Sequence, residues 1–227
     1  MNLAAPPQQT ESVSRNVQSS QAGVHENLTQ LVKKHLRTRS SRPYATHNLQ
    51  AFEALMQAAD GRELILDSGC GTGSRTATLA KRHPRALVAG IDKSAKRLAG
   101  PAQAIKTTGN GNAIFLRADL FDFFRIAASQ GTRLHKHYIL YPNPWPKPGH
   151  LQRRWHGSAV FRDIVELGGE IELRSNWRVY VEEFSVALDI AGINCTVEQL
   201  KPDDADTLTP FEKKYHRSGH DLWVLKT

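Results

Sequence analysis

Between Leu140 and Trp155 the chain reads LYPNPWPKPGHLQRRW. An apolar run from Tyr138 to Tyr141 meets three prolines set around Asn143 and Trp145, and basic residues follow. Proline cannot donate to a sheet ladder, so a strand must end here and expose its last side chains. In an open α/β sheet the carboxyl ends of the strands are where ligands bind. A polar amide, a flat aromatic and several cations displayed at such a place suit a nucleobase and its phosphates.

A second stretch, LILDSGCGTGSRT from Leu64 to Thr76, reads as a strand, a glycine-rich turn and the start of a helix. Gly69, Gly71 and Gly73 let the backbone bend sharply and come close to a ligand. A dinucleotide fingerprint needs its third Gly or Ala three positions after the second, and the spacing here fits that poorly. The turn instead resembles the S-adenosylmethionine (SAM) loop of class I methyltransferases. That resemblance implies that Asp67 sits beneath the methionine ammonium. Asp92, ending the second strand in AGIDKS, would accept the ribose hydroxyls, and Asp119, in LRADLF, would meet the adenine amino group. One acidic residue at a strand end is most simply a helix cap. Three at successive strand ends favour a SAM pocket.

The composition suits one α/β domain with a full core: 227 residues, 40% hydrophobic and 23% charged. The apolar runs are too short for a membrane span, and the N-terminus carries no secretory pattern, so a cytoplasmic protein without a membrane partner is expected. Cys70 and Cys195 are the only cysteines, which indicates neither a disulfide framework nor a zinc site. His135, His137, His150 and His156 lack neighbouring carboxylates or thiolates, so no metal is expected. The formal net charge of +8 favours a polyanionic partner. No Asp or Glu occurs from Phe123 to Arg162, whereas Arg125, Arg133, Lys136, Lys147, Arg153, Arg154 and Arg162 supply seven cations. Such a block around the proline loop reads as a phosphate-facing surface.

The elements that must position these residues alternate strand and helix, the mark of a parallel sheet with crossovers. Residues 1–23 read as a disordered arm, and residues 24–60 as a basic helical extension with Leu28, Leu31, Val32 and Leu36 at helical spacing. The domain proper is expected over 61–227. Strands are expected at Glu63–Asp67, Ala86–Asp92, Ala113–Ala118, His137–Tyr141 and Gly169–Leu173. Helices are expected at Asn48–Ala59, Gly73–Arg82, Lys93 to about Thr107, up to Gln130, Gln152–Leu167 and Arg178–Ala191. Cys195–Leu200 and Leu222–Leu225 would close the sheet as an antiparallel hairpin across a long loop. The fold class is α/β: a Rossmann-like, seven-stranded, mostly parallel sheet with helices on both faces.

Three segments of the second half, YPNPWPKPGHLQRRW, GGEIELRSNWRVYVEEF and LTPFEKKYHRSGHDLWVL, resemble in order and spacing the bacterial tRNA (guanine-N7)-methyltransferase family, TrmB. The resemblance covers roughly residues 60–227 and implies SAM as cofactor and tRNA as partner. It makes Asn143 the catalytic position and Lys147 a substrate contact. Thr209, Phe211 and Glu212 would shape the base pocket, Glu212 accepting from the Watson–Crick edge of guanine. Arg153 and Arg154 would hold phosphates. The family's pattern carries Asp at two positions that are Asn143 and Asn176 here.

Guanine N7 has a free lone pair and no proton to lose, so methyl transfer to it is an in-line displacement governed by positioning. The base gains positive charge as the methyl arrives, and an amide stabilises that charge less than a carboxylate does. Asn-Pro-x-aromatic is also similar to the loop of amino-group methyltransferases. Three activities are therefore open: guanine-N7 methylation of tRNA, SAM-dependent methylation of another acceptor such as an exocyclic amine, and tRNA binding with weak turnover. Monomer and homodimer are both compatible with the sequence.

Overall fold

The computed structural model describes residues 14, 15, 17, 19–100, 111–202 and 207–227. Strands β1 (Leu64–Ser68), β2 (Leu87–Asp92), β3 (Ala113–Arg117), β4 (Lys136–Leu140), β5 (Glu170–Ser175), β6 (Thr196–Leu200) and β7 (Leu222–Lys226) form one sheet in the order β3-β2-β1-β4-β5-β7-β6. The first five pair in parallel, and β7 runs antiparallel between β5 and β6. The strand order reverses between β1 and β4, which opens a crevice above their carboxyl ends. The helices are α1 (Leu28–Arg37), α2 (Thr46–Ala59), α3 (Ser74–Arg82), α4 (described over residues 95–100), α5 (Leu120–Ser129), α6 (Phe161–Leu167), α7 (Arg178–Ile190) and α8 (Pro210–Arg217).

β1 and β2 are buried along their whole length because helices cover both faces, which is why they read as continuous apolar runs. Alternate side chains serve alternate layers. Leu64, Leu66, Ala89, Ile91, Ile139, Ile171 and Leu173 pack with residues of α1, α2, α5, α6 and α7. Ile65, Val88, Tyr138 and Leu140 pack on the other face with Leu79 and Ala80 of α3. The helical extension is part of the larger layer: Leu28, Val32 and Leu55 are almost wholly buried in it. Each such side chain contributes about 1.5–3 kcal/mol when fully removed from water. Most of the arm expected over 1–23, and residues 101–107 of the expected fourth helix, lie outside the described residues.

The structure departs from the sequence reading in three places, the first at the end of the expected arm, where Gln21 is hydrogen-bonded to Arg154 and Glu183. The single helix expected over Gln152–Leu167 is broken into two 3-10 turns, Pro148–Arg153 and Trp155–Gly157, followed by α6. Gly157 explains the break. A Cβ there would lie 2.2 Å from the Leu151 carbonyl oxygen, so the two turns touch backbone to backbone. The long loop before β7 contains α8, whose first turn is Thr209-Pro-Phe-Glu. Thr209 Oγ1 accepts from Glu212 N (2.9 Å) with proline at N1, a helix start that the sequence spells out as T-x-x-E.

One core polar group makes folding sensitive to acid. His137 on β4 is fully buried and shares a hydrogen bond with Ser68 Oγ (2.8 Å). Burial pulls its pKa down to about 3, so the folded ring is neutral. A depressed histidine contributes stability that is full above its unfolded pKa of about 6.5 and is lost as pH falls toward the folded value. Wild type should therefore lose up to about 1.4 kcal/mol per pH unit below about 6.5 relative to His137→Gln. Urea titrations of both proteins between neutral and mildly acidic pH measure this, and parallel pH profiles would refute it.

Candidate active site

At the switch point the glycine turn after β1 faces the proline loop after β4 across a cavity of about 270 Å³. Its walls bring together Gly69, Asp92, Asp119, Asn143, Trp145 and Arg153. The glycine turn owes its shape to Gly69, Gly71 and Gly73, with φ of 74°, 60° and 72°, a region that side chains with Cβ rarely adopt. The turn is stitched to β2 by Gly69 N and Cys70 N, which donate to the Ile91 carbonyl at 2.8 and 3.0 Å. Asp92 is nearly buried and accepts from Gly71 N (3.0 Å) and Ser94 N (2.8 Å), so its carboxylate is fixed on the cavity wall. Asp119 is exposed, caps α5 through Phe121 N (3.0 Å) and also lines the cavity. Capping a helix and lining the cavity thus coexist in one side chain.

The proline loop is held in an unusual conformation. Tyr141 and Trp145 both have positive φ, 50° and 44°, a region in which aromatic residues are outliers. Tyr141 N donates to the Arg174 carbonyl (2.8 Å), and its hydroxyl donates to Glu212 Oε2 (3.0 Å). Burial, and then the Glu212 charge, push the Tyr141 phenol far up, so it remains a donor. Asn143 Oδ1 accepts from Trp145 N (3.3 Å), which leaves the exposed amide its NH₂. The Arg153 guanidinium carbon lies 4.8 Å from the centre of the Trp145 ring, and His150 meets that ring edge-on at 5.6 Å.

Residues 61–225 match a protein-family model described as "Putative methyltransferase". The chain belongs to that methyltransferase family. Its relatives include a tRNA (guanine-N(7)-)-methyltransferase of Photobacterium profundum, 27% identical over 171 residues that make up 72% of this chain and 69% of that protein. Another of the same description, from Neisseria meningitidis serogroup A, is 27% identical over 183 residues, 78% of this chain and 76% of that one. Among solved structures, an antibiotic-related methyltransferase matches with a TM-score of 0.60 at 14% identity, over 84% of this chain and 98% of that one. The 16S rRNA methyltransferase KamB matches with a TM-score of 0.56 at 21% identity, over 84% and 97%. The fold is that of the class I SAM-dependent methyltransferases.

Several residues singled out in the sequence lie away from this methyltransferase's cavity. Asp67 is fully buried and faces the interior, where Thr76 Oγ1 donates to it at 2.6 Å and the Arg75 guanidinium is its ion-pair partner. It fixes α3 against β1. Arg154 is 1% exposed and paired with Glu183, which leaves it no face for a phosphate. Glu212 is 0% exposed and accepts from Arg174 Nη1 (2.9 Å), Leu208 N (3.0 Å) and the Tyr141 hydroxyl, so its carboxylate is spent inside the protein. Asn176 is buried against His220 Nδ1 (3.1 Å). Thr209 serves as the cap of α8, whereas Phe211 is 58% exposed and stacks on Tyr215. Lys147 is exposed.

The acid-free block is also less open than its charge count suggests. Arg125 is buried and donates to the Ser40 and Arg42 carbonyls, Lys136 is paired with Glu170 and Glu172, and Arg162 with Glu166. Of its seven cations, Arg133, Lys147 and Arg153 are exposed, and Arg133 lies just before β4, at the opposite end of the sheet from the cavity. The cavity recruits Lys93 and Arg97 instead, together with Trp155 and Tyr180, which sequence reasoning missed. Lys93-x-x-x-Arg97 directly follows Asp92, and that adjacency was the available signal. Among the described residues, no group of three His, Cys, Asp or Glu side chains could hold a metal ion, and no helix is long and apolar enough to cross a membrane.

The donor set fits SAM: a fixed carboxylate for a ribose diol, a turn with glycine at three of its five positions and a second carboxylate on the same wall. Asp92→Ala should weaken SAM binding about 10–100-fold, the value of a hydrogen bond to a charged group. Calorimetric titration with SAM tests this, and unchanged affinity would remove Asp92 from the site.

Proposed function

We propose that this protein transfers the methyl group of SAM to N7 of a guanine in tRNA, in the cytoplasm. The observation that carries the proposal is one cavity shared by Asp92 and Asp119 on the donor side and Asn143, Trp145 and Arg153 on the acceptor side. SAM, when bound, supplies a methyl group activated by a sulfonium. The protein's part is alignment, since a displacement of this kind gains most of its rate from holding the reacting atoms in line.

Asn143 favours guanine over an exocyclic amine. Asn143 Oδ1 accepts from Trp145 N (3.3 Å), which orients the amide and leaves its NH₂ as the donor it offers a substrate. The remaining NH₂ matches O6, which lies beside N7 on the same edge of guanine. Trp145 offers ring area for the base, while Arg153, Lys93 and Arg97 line the cavity wall with cations that suit flanking phosphates. The names of the relatives in Photobacterium profundum and Neisseria meningitidis support the same reading.

The amide holds the base edge but leaves the charge developing on the ring without a counter-charge. Asn143→Asp supplies that counter-charge but removes the donor to O6, so kcat should rise about 10–100-fold while KM for tRNA rises with it. Asn176→Asp should change it little, because Asn176 faces His220 and not the cavity. Nucleoside mass spectrometry of tRNA incubated with SAM and each protein decides the matter. A 7-methylguanosine peak that grows with Asn143→Asp is expected, and a methylated amine in its place would overturn the assignment.

A further inference from the structure

Arg154 lies outside the cavity, yet it touches the loop that carries Asn143 from below. Its Nε and Nη2 donate to the Trp145 carbonyl at 3.2 and 3.1 Å, and Nη2 also donates to the Lys147 carbonyl at 3.3 Å. Nη1 is bound to Glu183 of α7. The guanidinium thus grips the backbone on the far side of Asn143 from Tyr141, at the residue whose φ is 44°. An outlier of this kind costs on the order of 1–3 kcal/mol and persists only where its surroundings over-determine it.

The grip is completed from a distant part of the chain. Gln21 Oε1 accepts from Arg154 Nη2 (3.1 Å), and Gln21 Nε2 donates to Glu183 Oε1 (2.5 Å). His25 N donates to the same oxygen (3.0 Å), and His156 Nε2 is 2.8 Å from the other. Gln21 therefore bridges both members of the ion pair, so residues 21–25 form one wall of its seat.

We infer that Arg154 is a positioning residue for methyl transfer, and that the segment from Gln21 to His25 completes the seat that lets it hold the Asn143 loop in register. The inference rests on the proposed methyl transfer, but its structural half does not. If the seat loosens, Asn143 and Trp145 shift against a SAM pocket that stays intact. A displacement of about 1 Å at a reacting centre can cost on the order of 100-fold in rate. Signal for this role is expected in kcat, because Arg154 contributes nothing to the cavity wall.

The test uses the full chain with Gln21→Ala and Arg154→Lys, ¹⁵N-labelled at tryptophan. For Gln21→Ala the expected results are a shifted or broadened Trp145 indole resonance, SAM affinity within about twofold of wild type, and kcat lowered about 5–10-fold at little-changed KM. Arg154→Lys keeps the charge but cannot span both carbonyls and Glu183, and should lower kcat about 30–100-fold. Should Arg154→Lys fail to fold, Gln21→Ala decides alone, since its side chain lies at the edge of the pair. An unmoved Trp145 resonance with unchanged kcat overturns the inference, and so does a loss of SAM affinity parallel to the loss of rate. If wild type transfers no methyl group to tRNA, the proposed function fails while the Trp145 resonance still reports on the seat.

Discussion

The structure turns on a buried ion pair. Arg154 and Glu183 lie in the interior, where taking two charges out of water costs several kcal/mol per ion. Such a pair survives only when the remaining hydrogen-bonding capacity on both sides is filled. Here the guanidinium is satisfied by two loop carbonyls and Gln21, and the carboxylate by Arg154, His156, Gln21 and the His25 amide. Burial alone would raise the Glu183 pKa, but hydrogen bonds from His156, Arg154 and Gln21 hold it at about 2. His156 itself is kept below its ordinary value by burial. Helix α7, the 3-10 turns, the N-terminal segment and the proline loop all meet at this pair, so none can move without unpairing a buried charge.

A second polar network faces it from the other side of the sheet. Glu212 of α8 gathers Arg174 of β5 and the Tyr141 hydroxyl, and Arg174 is also paired with Glu172. The loop from Tyr141 to Lys147 is thus pinned at both ends, to one helical layer by Tyr141 and to the other by Arg154. Its positive-φ residues stand at these two attachment points. The prolines between them stiffen what the networks anchor, which leaves Asn143 displayed on a short, rigid span at the end of β4.

Much of this was legible in the sequence, because apolar runs and glycine spacing are local signals. Strands β1 to β5 start and stop within two residues of where hydrophobic pattern puts them, and the glycine turn lands on the cavity. Pattern does not reveal direction inside the fold. Arg153 and Arg154 are indistinguishable as neighbours in sequence, yet one lies over Trp145 and the other is buried beneath it, because Arg153 ends the first 3-10 turn and Arg154 leaves it in extended backbone (φ −77°, ψ 145°). The same holds for Asp67, Asp92 and Asp119, three strand-end carboxylates of which the first is turned inward to Arg75. The motif Thr-Pro-Phe-Glu resembled a base pocket and is, in its geometry, the first turn of a helix whose acidic member is an internal anchor.

The position of β7 has a consequence for the order in which the protein can be assembled. β6 precedes β7 in the chain, but among the described residues its only neighbour in the sheet is β7. A growing chain therefore presents β6 without a seat until the following strand has emerged and slotted against β5. Until then β5 is an open edge, and Arg174 and Glu172 upon it wait for α8 to bring Glu212. The glycine turn and β1 to β4 can form early, as a unit. The proline loop gains its Tyr141 anchor only when the far end of the sheet is finished, so the glycine-turn side of the cavity takes shape during synthesis before the proline-loop side does.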